Sequence, residues 1–157
     1  MAAFDMVSTN KYKSYEARSD LTGRVQYMAR RFLGSELTAL TTTAADTFRV
    51  MKLAKHQMVT RVWTVVTDAD DTAITLDIGY TDGTNTAATA FEGDAALDST
   101  GVTQSSDDII FFDDDGYFII LTFSALATLD DDCEFVVVVE VLDLSNAGVT
   151  EELTTPV

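Results

Sequence analysis

The sequence predicts an all-β protein: an antiparallel β-sandwich, of the jelly-roll kind, with an extended N-terminal arm. Three observations carry this. Short runs of β-branched and aromatic residues recur along the 157-residue chain, with turn signals between them. Inside those runs apolar side chains alternate with a period of two, as a strand with one buried face requires. The single proline, Pro156, interrupts none of them. About eight strands result, with little helix. A chain of this length suits one domain, and no apolar run approaches the ~18 residues of a membrane-crossing helix.

Residues 1–23 form the expected arm. They scatter the aromatics Phe4, Tyr12 and Tyr15 among Lys11, Lys13 and Arg18 without a sustained period. Segments of this kind order against a partner. The domain proper is expected over 24–144, followed by a polar tail, 145–157.

Within the domain, 24–33 alternates Val25, Tyr27 and Ala29 with Gln26, Met28 and Arg30, which predicts a strand, with a short helix as the rival. Another strand is expected to begin within 36–40, followed by a Thr/Ala loop over 41–46. Residues 47–53 predict a strand with Phe48 and Val50 inward. The stretch 57–84 predicts two strands joined as a hairpin through an Asp-rich turn at 68–72, because short Asp side chains bond their own backbone in turns. Both faces of 58–67 hold apolar side chains, whereas 73–81 sets Ile74, Leu76, Ile78 and Tyr80 against Thr75, Asp77 and Gly79.

Asp82-Gly83 predicts a tight turn. A long polar loop is expected over 84–101 with Phe91 as its anchor, then another over 101–108. Short strands follow at 108–112 and 117–124, and a long one at 133–144 places Cys133, Phe135, Val137, Val139 and Val141 on one side. The predicted core is Trp63, Ile74, Leu76, Ile78, Ile119, Leu121, Phe123, Phe135, Val137 and Val139.

Charge is divided along the chain. All ten Lys and Arg fall within residues 1–61, against five acids, giving +5 there; residues 62–157 hold 21 acids and no base, and the total is −16. Such a split points to a basic part that docks and an acidic part that faces solvent. The acidic body opposes binding to nucleic acid. One cysteine, Cys133, excludes an internal disulfide and, with no apolar signal-like run in the opening MAAFDMVSTNKYKS, predicts synthesis in a reducing compartment.

Catalytic chemistry finds no foothold. His56 is the lone histidine and sits in a predicted turn, so a nucleophile–base pair would depend on it alone. Cys133 follows three aspartates, which raise a thiol pKa by like-charge repulsion. Three acidic turns, 68–71, 113–115 and 130–132, offer hard carboxylate oxygens, yet none matches a calcium loop: counted from Asp68, the sixth position is Ala73 and the twelfth is Gly79. Zinc needs more His and Cys than this chain has, and no phosphate- or dinucleotide-binding glycine pattern occurs. No enzyme activity, cofactor or metal is expected.

The basic, aromatic-dotted N-terminal segment, the Thr-rich entry, the stretch TLDIGYTDGTNT (75–86) and the terminal strand ending EVLDL (140–144) resemble tailed-bacteriophage virion proteins, in particular small capsid cement or decoration proteins of the jelly-roll sort. The resemblance covers 24–144. It implies a homotrimer seated on the outside of a capsid, made in the host cytoplasm, with the major capsid protein as partner and neither nucleic acid nor membrane. It carries over no site residue. The residues themselves nominate Phe4, Tyr12, Tyr15, Arg18, Arg24, Arg30 and Arg31 as partner-binding, since Arg forks pair carboxylates and aromatics bury area at small entropy cost. The rival readings are a carbohydrate-binding or head-fibre adhesion module, and a metal-dependent hydrolase on a β-sandwich.

Overall fold

The computed structural model describes residues 3–5, 24–40, 47–105 and 109–144. They form ten strands: β1 (Ala3–Asp5), β2 (Arg24–Leu33), β3 (Thr47–Lys52), β4 (Gln57–Asp68), β5 (Thr75–Thr81), β6 (Thr86–Ala96), β7 (Gly101–Gln104), β8 (Ile110–Phe112), β9 (Phe118–Phe123) and β10 (Glu134–Asp143). One sheet runs β1-β3-β9-β5-β6; the other runs β2-β10-β4-β7, with β8 also on β4. Every pairing is antiparallel except β1 with β3.

The two sheets form a jelly roll. β7 and β8 share one strand place, because β4 pairs with β7 through Trp63–Val66 and with β8 through Gln57–Val59. Between these segments Ser105 exchanges two hydrogen bonds with the backbone of Val62, donating through its amide (2.8 Å) and accepting at Oγ (3.0 Å). With β1 set aside, the eight places run β2-β10-β4-β7/β8 facing β3-β9-β5-β6, the double Greek-key winding.

The core lies between the sheets. Phe32 stacks on Phe135 at 5.1 Å, Phe135 meets Phe123 at 6.0 Å, and Phe123 meets Phe48 at 5.8 Å, so one aromatic chain crosses the layer. Along β10, Phe135, Val137, Val139 and Val141 are all sealed, with Cys133 just ahead of them. Nine of the ten expected core residues are buried.

Trp63 is the exception. It is half-buried on the outer face, and its indole donates to Gln104 Oε1 (3.2 Å). The cause is a register shift between Glu140 and Val141, where β4 carries an extra residue. Such a bulge inverts the alternation. Gln57 and Val59 therefore point inward on one side of it, and Val62, Thr64 and Val66 on the other.

Four further expectations are corrected. β4 and β5 are not a hairpin: they lie in opposite sheets, and the Asp-rich link between them is a crossover. The expected polar loop over 84–101 contains β6, whose hairpin partner is β5. The loop over 101–108 begins with β7. The expected strand start at 36–40 is instead the short helix α1 (Gly34–Thr38), with Leu37 buried. The loop at 41–46 and the tail from 145 lie outside the described residues. So does most of the arm, although its residues 3–5 supply β1 at the sheet edge, Phe4 in register with Phe48.

Candidate interaction surface

The outer face of the β2-β10-β4-β7/β8 sheet is built in cross-strand rows. One row aligns Val25, Leu142, Met58 and Phe111. Another aligns Ala29, Val138, Trp63 and Gln104, and a third Arg31, Val136, Val65 and Val102. Neighbours at this spacing pack into a continuous surface. Between the apolar rows runs a polar one, Tyr27, Glu140 and Arg61.

Of the large apolar side chains that are exposed among the described residues, five of six belong to this sheet or its β7–β8 edge: Val25, Tyr27, Val102, Ile109 and Phe111, each 47–66% exposed; the sixth is Leu40. A lone exposed apolar residue is ordinary; here they gather at the two edges of one face, Val25 and Tyr27 on β2 and Val102, Ile109 and Phe111 along β7–β8.

The charges on this face are compensated. Arg31 donates from Nε to Glu134 Oε1 at 2.7 Å and from Nη2 to the second oxygen, a two-pronged pair. The Arg31 hydrogen bond holds the Glu134 carboxyl below its ordinary pKa. Tyr27 donates its hydroxyl to Glu140 Oε2 (2.9 Å), which raises the phenol pKa. Thr60 donates to the other Glu140 oxygen (2.6 Å), and Arg61 stands opposite Glu140 in the register.

Arg30 faces the other way. Its Nη1 donates to the Val50 carbonyl (3.3 Å), its guanidinium lies 5.5 Å from the Phe32 ring, and burial lowers its pKa. Of the two nominated residues whose side chains are described, Arg30 and Arg31, only Arg31 therefore shows its charge on the outer face. The backbone of Arg24 begins β2 in register with Asp143. Tyr12, Tyr15 and Arg18 lie outside the described residues. The nomination passed over Val102, Ile109 and Phe111, which read as one more loop and one more short strand. The signal for Val102 was an apolar side chain standing alone among polar ones, whereas Ile109 and Phe111 sit in the apolar run 109–112, which does not say which of its members point outward.

The acidic turns do structural work. Asp70, buried, accepts at Oδ2 from the Asp130 amide (2.8 Å) and at Oδ1 from the Thr72 amide (2.7 Å), while Asp130 Oδ2 accepts from the Asp71 amide (2.8 Å). Two turns distant in sequence thus cap each other. Asp82 accepts from the Thr84 and Asn85 amides, and those hydrogen bonds, Asn85's first, lower its pKa. Among the described residues no group of three or more His, Cys, Asp or Glu could hold a metal ion. Cys133 is sealed, and burial first, then Asp70 and Asp68, pushes its pKa up to about 11. His56 takes a left-handed turn (φ 62°) and stacks against Phe111 at 6.4 Å.

Solved structures share the fold. A chain in the capsid of Ralstonia phage GP4 superimposes with a TM-score of 0.62 at 13% identity, covering 90% of this chain and 98% of that one. A chain of the cyanophage Pam1 capsid gives 0.56 at 20% identity, covering 86% and 96%. A chain of the acid-stable capsid of Helicobacter pylori bacteriophage KHP30 gives 0.55 at 11% identity, covering 78% and 90%. No protein-family model and no curated protein matches the sequence.

Proposed function

We propose that this chain is a structural virion protein that sits on the outside of a phage capsid as a homotrimer and stabilises it. One observation carries the reading: its jelly roll matches, nearly end to end, chains of three phage capsids. The charge division supports it. A body of −21 over 62–157 favours solvent, and attachment falls to the basic end.

In this reading the role is mechanical, not catalytic, and the partner is the major capsid protein. Arm residues Phe4, Tyr12, Tyr15 and Arg18, with Arg24 and Arg31, make the capsid contact. Single exposed ion pairs contribute little, so trimer avidity supplies the affinity.

The test is co-sedimentation of the full chain with capsids that lack it, followed by heating. Bound protein should raise the temperature at which the capsids open. The triple variant Tyr12→Ser, Tyr15→Ser, Arg18→Glu should stay folded and lose occupancy. Wild-type occupancy by that variant would remove the arm as anchor; no binding by the parent chain would end the reading.

A further inference from the structure

We propose that copies of this chain join head to tail through the outer face of the β2-β10-β4-β7/β8 sheet. The β2 edge of one copy, with Val25 and Tyr27, packs on the β7–β8 edge of the next, with Val102, Ile109 and Phe111. The proposal rests on the trimer stated above and names its interface.

Three observations lead to it. First, the most exposed apolar side chains of this sheet stand at its two opposite edges, β2 and β7–β8, while the apolar residues of β10 and β4 between them are half-buried. The edges are three strand spacings apart, roughly 14 Å, so they are two patches on one side of the molecule.

Second, a three-fold ring cannot be closed by contacts of one patch with itself. It needs two different patches that meet around the ring. The two edges supply such a pair.

Third, the charge permits it. A chain of net charge −16 repels its own copies over most approaches. Among the described residues of this face the carboxylates are answered within the chain, Glu134 by Arg31 and Glu140 by Tyr27 and Thr60 with Arg61 opposite. Two copies can meet here without setting Glu134 or Glu140 bare against each other. The occupant that fits is therefore a second copy, presenting apolar area and the same compensated charges.

The experiment is sedimentation velocity on the full chain and on two variants, Val25→Glu at one edge and Val102→Glu at the other. Both positions are exposed, so the fold should survive, which far-UV circular dichroism and the melting temperature verify. The parent should sediment as a trimer. Each variant alone should lose the trimer, because every junction of the ring then carries an unpaired charge. An equimolar mixture should give a heterodimer and nothing larger, since the intact β2 edge of one variant meets the intact β7–β8 edge of the other.

Variants that remain trimeric beside a trimeric parent would overturn this interface and leave the trimer standing. Loss of capsid binding by variants that stay trimeric would assign the face to the capsid instead, and would also overturn it. A parent that is monomeric both free and on the capsid would remove the trimer and this interface with it.

Discussion

The two sheets treat their outer faces differently. On the β3-β9-β5 side the chain closes the face itself. Ile120, which points outward from β9 between Arg49 and Gly79, is fully sealed. The Arg49 guanidinium lies over the Phe118 ring at 5.2 Å. β6 makes a long bulge against β5, its register passing from Ala87 at Tyr80 to Glu92 at Ile78, and its backbone crowds Gly79 so closely that a Cβ there would meet the Ala87 carbonyl oxygen at 1.9 Å. On the β2-β10-β4 side the described residues show nothing comparable, and apolar rows end in exposed edges. Outward apolar side chains thus have two fates: Ile120 is sealed by its own chain, whereas Val25, Tyr27, Val102 and Phe111 stand exposed.

The largest test of that contrast is Ile120→Ala. If the face is closed as described, the change leaves a cavity and costs about 2–5 kcal/mol in chemical denaturation of the free chain. A loss below about 0.5 kcal/mol would mean that the face is open like its counterpart.

Cys133 tests the sealed layer by pH. Its folded pKa, about 11, lies above the ordinary value of 9.0. The neutral thiol is the form the fold favours, so its contribution is full below pH 9 and is lost as pH rises through 11. Iodoacetamide should therefore leave Cys133 unmodified in the native protein at pH 8 and label it readily once urea unfolds the chain. Rapid native labelling would place the thiol in an open site.

The contrast was only partly legible in the sequence. Alternation along 133–141 fixes which side of β10 is core, because one strand with one buried face needs nothing else. It does not say which sheet a strand joins. The Asp-rich link 68–73 has the same turn chemistry whether it reverses the chain within a sheet or carries it to the facing one, and here it does the latter. β6 was hidden because Thr, Ala, Glu and Asp at its positions show no period, its pairing with β5 being interrupted twice. Trp63 was misassigned because one bulged residue, invisible to a period-two count, inverts the phase of β4. The candidate surface was half-visible. Both faces of 58–67 hold apolar side chains, and Met58, Trp63 and Val65 do face outward, half-buried, but nothing in the sequence tells such residues from Ile120, which the chain covers itself.

A smaller effect sits on the inner side of the open sheet. The Thr64 hydroxyl is buried without a hydrogen-bond partner. Thr64→Val replaces it with a methyl of similar shape and should raise stability by about 1 kcal/mol. A loss would reveal a partner for that hydroxyl.

The smallest expected change is Val102→Ser, which should shift the stability of the monomeric Val25→Glu chain by less than about 0.5 kcal/mol, because the side chain is 66% exposed within the chain. A cost above about 2 kcal/mol would make Val102 part of the protein's own core.

Hydroxyl-radical footprinting of the parent trimer against the monomeric Val25→Glu variant measures both faces at once. The account predicts that Tyr27, Met58, Trp63 and Phe111 are less reactive in the trimer while Phe118, on the outer face of the other sheet, reacts alike in both. Protection of Phe118 in the trimer, with Trp63 and Phe111 unchanged, would contradict it.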